Sequence, residues 1–124
     1  MVVHESAEMY LETILILSHK SSKVRSIDIV EQLDYKKSSV SVAMKKLREN
    51  GFINMDPEGI ITLTEKGKKS AESVYEKHML FSEWLIHLGV DRDTAVKDAC
   101  RIEHVISPES FEAIKEHVKD MNMS

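Results

Sequence analysis

The sequence predicts a mainly α chain: an N-terminal winged helix-turn-helix with a two-strand wing over residues 1–69, then an all-helical domain over residues 70–124. Three observations carry that expectation. Three amphipathic stretches follow one another within the first 50 residues, a hairpin signal comes directly behind the third, and two capped helix starts follow a long apolar helix. A length of 124 residues holds one compact domain or two small units. Charged residues at 31% against 42% hydrophobic exclude a disordered chain, and four Gly with two Pro exclude a linker-rich one.

The first helix is expected over residues 5–19, where Ala7, Tyr10, Leu11, Ile14, Leu15 and Leu17 recur at helical spacing before the polar run Lys20-Ser21-Ser22-Lys23. Ser26 is the expected N-cap of a short helix carrying Ile27, Ile29, Val30 and Leu33. The break Asp34-Tyr35-Lys36-Lys37 leads into a helix over about residues 38–50. Its apolar positions Val40, Ala43, Met44 and Leu47 repeat as i, i+3, i+4, i+7, and Gly51 stops it. Residues 52–55 and 59–63 are strand candidates around the turn cluster Asp56-Pro57-Glu58-Gly59, and a hairpin in that place is a wing.

Thr64 is placed to cap the next helix, which should run to about residue 88, before Gly89. Ala71, Val74, Tyr75, His78, Phe81 and Leu85 form one stripe of it, while Met79, Leu80, Trp84 and Ile86 add apolar surface on other faces. That surface exceeds what one small subunit covers, so a homodimer is expected. Asp91 and Ser107-Pro108 mark two more helix starts, with Pro108 in the first helical position, where its missing N–H costs nothing.

Charge is distributed unevenly. Residues 1–48 hold eight Lys/Arg against six Asp/Glu, and residues 19–48 hold the same eight against three, a net +5. Residues 70–124 hold six against eleven, a net −5. A basic segment over the helix-turn-helix suits double-stranded DNA, although charges on solvated helix faces account for it equally. Arg25, Lys36, Lys37, Lys45, Lys46 and Arg48 supply cations, and Ser38, Ser39 and Ser41 open the recognition helix where hydroxyls and free N–H groups bond phosphates. Val42 stands where a side chain meets base edges and can touch a thymine methyl. No apolar run approaches the roughly 20 residues of a membrane span, and no secretory signal is visible. One cysteine, Cys100, leaves no internal disulfide, and the cytoplasm is the expected compartment.

Cys100, Glu103 and His104 lie at i, i+3 and i+4, so their side chains leave one helix face. Thiolate, carboxylate and imidazole are a transition-metal ligand set. A buried Cys beside a surface Glu–His pair is the plainer account of the same spacing. His78 on the apolar stripe reads as a core histidine or a ligand, and Met9 with Glu12 reads as a core Met beside a solvated acid or as two ligands. His4, His19, His87 and His117 read as surface groups.

These segments carry a resemblance. Glu8-Met9-Tyr10-Leu11-Glu12-Thr13-Ile14, Ser38-Ser39-Val40-Ser41, Leu63-Thr64-Glu65-Lys66-Gly67 and Cys100-Arg101-Ile102-Glu103-His104-Val105-Ile106-Ser107 occur in that order. The chain resembles the metal-dependent transcriptional repressors of the diphtheria toxin repressor and manganese transport regulator type, in a short form without the third domain. The resemblance implies a metal-activated, dimeric repressor of iron or manganese homeostasis that binds operator DNA. By position, Met9, Cys100, Glu103 and His104 match the primary metal site of the iron-responsive branch, and Glu12 and His78 match metal ligands of the manganese-responsive branch. The manganese branch usually has Asp at position 9 and Glu at position 100. The iron branch has no acid at position 12, and its ancillary ligands are replaced here by Ser82 and Val96.

Ligand softness favours Fe²⁺ over Mn²⁺ for the Met9/Cys100 pair, with Zn²⁺ or Co²⁺ able to substitute in vitro, while Glu12 pulls toward the harder ion. Met9 and Glu12 belong to the DNA-binding half, and Cys100, Glu103 and His104 to the dimerisation half. A metal shared by both would hold the recognition helices at the roughly 34 Å that the two halves of an operator require. Two other classes compete. One is a winged-helix repressor answering to a small organic ligand or to oxidation of Cys100. The other is an enzyme using Cys100 and His104 as nucleophile and base, for which no orienting third group or oxyanion loop is evident, so neither catalysis nor a small-molecule substrate is expected.

Overall fold

The computed structural model describes residues 5–121, and His4 lies outside them. The order is α1 (Glu5–Ser18), α2 (Ser26–Leu33), α3 (Lys37–Glu49), β1 (Ile53–Met55), β2 (Ile61–Leu63), α4 (Glu65–His87), α5 (Arg92–Val105) and α6 (Pro108–Asp120). The chain divides into two compact units, one ending at Glu72 and the other beginning at Ser73, so the division falls inside α4.

In the first unit, α1, α2 and α3 pack on one another. Leu11, Ile14 and Leu15 of α1, Ile29 of α2 and Val40, Met44 and Leu47 of α3 are buried. The α2 cap differs from expectation. Ser26 is the first helical residue and Arg25 occupies the N-cap, its N–H donating to Asp28 Oδ2 at 2.8 Å. An acid in the first turn thus accepts the N-cap N–H and lies at the positive end of the α2 dipole. Asp34 ends α2 in the left-handed region at φ 56°, where a short polar side chain is tolerated, and the chain turns into α3.

The wing is an antiparallel pair in the register Ile53↔Leu63, Asn54↔Thr62, Met55↔Ile61. Asp56 Oδ1 accepts from both Glu58 N and Ile60 N at 2.9 Å, which closes the turn. Val24 forms an isolated bridge to Ile61, whose N–H donates to Val24 O at 2.7 Å. Ile53 and Ile61 point inward on the alternate-residue pattern.

In the second unit, Phe81, Ala99 and Phe111 form a core joined by Leu80, Trp84, Ile102, Ile106 and Ile114. The Phe81 and Phe111 rings meet at 5.9 Å in an edge arrangement. Asp91 and Ser107 cap α5 and α6 as expected: Asp91 Oδ2 accepts from Asp93 N and Thr94 N, and Ser107 Oγ accepts from Ser110 N. Part of the α4 surface expected to need a partner is therefore used within this chain, because Leu80 and Trp84 are partly buried against this core. Met79, Ile86 and Leu88 stay exposed, Leu88 at 57%.

Candidate metal centre

The helical phase of α5 sets the site. Ala95 and Ala99 are fully buried, and that inward face also carries Glu103. The ligand atoms of Cys100, Glu103 and His104 lie within 4.8 Å of one another. Two ligand atoms on a single ion at about 2.0–2.3 Å each are no more than about 4.6 Å apart, so the three are close to ligand spacing.

Burial makes the arrangement informative. The Glu103 side chain is 0% exposed and that of His104 is 1% exposed. His78 Nδ1, on α4, donates to Glu103 Oε2 at 2.9 Å. The other oxygen, Oε1, lies 3.3 Å from His104 Nε2 but accepts no hydrogen bond from any described residue. A buried carboxylate is costly unless it is paired or coordinates a cation. A bare carboxylate oxygen facing an imidazole nitrogen, with a half-buried thiol in the same cluster, fits a divalent metal.

The first unit holds the other two candidates on α1. Glu12 is buried and Met9 half-buried. Met9 Sδ accepts a hydrogen bond from the Tyr35 hydroxyl at 3.1 Å, and the Tyr35 ring stands edge-on to Tyr10, centroids 6.0 Å apart. Burial, and then the neighbouring Tyr35, raise the Tyr10 phenol above the ordinary tyrosine value. The sequence gives no sign of the Tyr35–Met9 contact, since 26 residues separate the two and neither has a periodic partner.

The candidate DNA face is sorted by α3. Val40, Met44 and Leu47 face inward, while Ser38, Ser39, Ser41, Val42, Lys45, Lys46 and Arg48 are exposed, Val42 at 54%. Lys36 and Lys37 are exposed at its N-terminus. Arg25 is placed differently: half-buried, its Nε donates to Glu58 O in the wing turn at 3.3 Å. His19, His87 and His117 are exposed.

A winged helix-turn-helix followed by a helical unit with a thiol–carboxylate–imidazole cluster defines a metal-dependent DNA-binding regulator. Residues 3–60 match the family described as iron dependent repressor, N-terminal DNA binding domain, and residues 64–124 match iron dependent repressor, metal binding and dimerisation domain. The chain belongs to the iron-dependent repressor family. It is 36% identical over 113 residues to an uncharacterized HTH-type transcriptional regulator of Methanocaldococcus jannaschii, covering 90% of each chain. It is 32% identical over 109 residues to the transcriptional regulator MntR of Salmonella typhimurium, covering 88% of this chain and 69% of that one. Among solved structures it superposes on the manganese regulator SloR with a TM-score of 0.80 at 30% identity, over 100% of this chain and 56% of that one. The chain thus spans little more than half the length of that relative. No helix among the described residues is long and apolar enough to cross a membrane.

Proposed function

We propose that this chain is a cytoplasmic homodimeric repressor whose DNA binding is switched on by a divalent metal held by Cys100, Glu103 and His104, with His78 beside them. The observation that carries the reading is the buried Glu103 carboxylate, one oxygen held by His78 and the other bare opposite His104. Met9 and Glu12 are the contribution to the ligand set of the proposed DNA-binding domain, residues 1–69. Residues 70–124 carry the rest together with the dimer interface. The metal supplies a cation to the Glu103 oxygen that His78 does not hold.

Fe²⁺ is the proposed ion over Mn²⁺, since Cys100 and Met9 offer sulfur to an ion that must prefer it to oxygen. Manganese is the second reading, favoured by the buried oxygen donor Glu12 and by similarity to the manganese regulator SloR. Zn²⁺ or Co²⁺ should substitute in vitro.

On the DNA side, the hydroxyls of Ser38, Ser39 and Ser41 and the cations Lys36, Lys37, Lys45, Lys46 and Arg48 bond phosphates, and Val42 meets base edges in the major groove. Arg25 supports that contact by holding the wing. Metal and DNA then raise each other's affinity by the same factor. The test is DNA binding titrated anaerobically against Fe²⁺, Mn²⁺ and Zn²⁺, with metal content measured after mild purification. Binding that ignores all three ions would sink the reading.

A further inference from the structure

The segment Leu63-Thr64-Glu65-Lys66-Gly67 offers none of the candidate metal ligands or DNA contacts, yet its ties converge on one place. Three consecutive carbonyls leave the end of α3, those of Asn50, Gly51 and Phe52. Each is taken by a donor from the start of α4: Lys66 Nζ to Asn50 O at 3.1 Å, Thr64 Oγ1 to Gly51 O at 2.7 Å, and Thr64 N to Phe52 O at 3.0 Å. Thr64 Oγ1 also accepts from Gly67 N at 3.1 Å, so one hydroxyl caps α4 and binds the end of α3 at once. The Lys66 ammonium stands 4.4 Å from the centroid of the buried Phe52 ring and beside the negative end of the α3 dipole.

Gly67 makes the approach possible. A Cβ there would fall 1.9 Å from Phe52 O and 2.9 Å from Phe52 C, both backbone atoms. The first turn of α4 therefore lies in direct contact with the backbone that ends the recognition helix. From this clasp α4 continues without a break to His87, and it carries His78, the residue that holds Glu103.

We propose that the clasp of Thr64, Lys66 and Gly67 is the joint through which metal occupancy reaches the recognition helix. The three are positioning residues: they fix the direction in which α4 leaves α3, so that a restraint on α4 at His78 becomes a restraint on α3. The proposal rests on the reading that metal activates DNA binding. A clasp serving only the fold would lower stability and weaken DNA binding equally with and without metal.

The experiment uses the full chain as wild type, Lys66→Met, Lys66→Arg and Thr64→Val. Lys66 is exposed, so Lys66→Met removes the bond to Asn50 and the charge over Phe52 without opening the core. The probe is a duplex selected from random sequence by Fe²⁺-loaded wild type. The quantity read is the ratio of DNA dissociation constants without and with Fe²⁺, alongside the Fe²⁺ affinity measured without DNA. Losing one cation alters both DNA constants alike and cancels in the ratio. Coupling between sites of this kind spans about 5- to 150-fold.

Lys66→Met and Thr64→Val should cut the ratio about tenfold or bring it to one, leaving Fe²⁺ affinity within about twofold, and Lys66→Arg should restore most of it. A wild-type ratio in both Lys66→Met and Thr64→Val overturns the inference, as does a loss that is equal with and without metal. A ratio of one in the wild type itself removes the metal-activation reading and the inference with it, and the wild-type arm alone identifies that outcome.

Discussion

At the scale of single residues, the cluster on α5 makes the sharpest demands. His104→Ala should remain folded, because Glu103 keeps its bond to His78. It should nevertheless lose metal-stimulated DNA binding, read as DNA affinity against metal concentration with circular dichroism confirming the fold. Full stimulation in the folded variant would mean that the site lies elsewhere. Glu12→Gln should divide the metals: the Mn²⁺ response should weaken by roughly tenfold and the Fe²⁺ response less, since a carboxylate matters most to the ion that gains least from sulfur. The spacing of Cys100, Glu103 and His104 was legible in the sequence because one helix carries all three. The Tyr35–Met9 bond and the bare oxygen of Glu103 were not, because both depend on how separate segments pack.

Elements were legible where periodicity and capping act locally, and less so where tertiary packing decides. The helices and the wing of the described residues fall close to their expected bounds, since Gly51, Asp91 and Ser107-Pro108 punctuate the chain by backbone chemistry alone. The exception at α2, with Arg25 at the cap, arose because the Asp28 carboxylate accepts the Arg25 N–H and so starts the helix one residue earlier than a Ser26 cap would. The partial burial of Leu80 and Trp84 could not be read either, because it depends on where α5 and α6 fold back. Two predictions belong here. Since α3 turns Lys45, Lys46 and Arg48 outward, DNA affinity should fall steeply with salt, and Lys46→Ala should flatten the log–log slope by about 0.9. A slope unchanged by that substitution would make Lys46 a solvated charge. In the second unit, Phe111→Ala should cost about 3–5 kcal/mol in chemical denaturation, because a buried ring facing Phe81 leaves a cavity.

For the molecule as a whole, the exposed Met79, Ile86 and Leu88 mark apolar surface that the second unit does not use for its own core. Sedimentation should find a dimer at micromolar concentration, and a stable monomer with and without metal would remove that expectation. Metal should also protect the folded chain by mass action. At a free concentration one hundred times the dissociation constant it should add about 2.7 kcal/mol, provided the unfolded chain binds it poorly. A melting temperature indifferent to Fe²⁺, Mn²⁺ and Zn²⁺ alike would contradict a site built around a buried carboxylate.

Cys100 is the chain's only thiol and lies within the proposed centre. Any thiol-directed reagent therefore reports on that one position without a background to subtract. The alkylation rate of the native protein becomes a clock for site occupancy, slow when the sulfur is engaged and fast when it is released. The same measurement can be made with DNA absent or present, so the chain carries its own single-site label for following how the two ligands communicate.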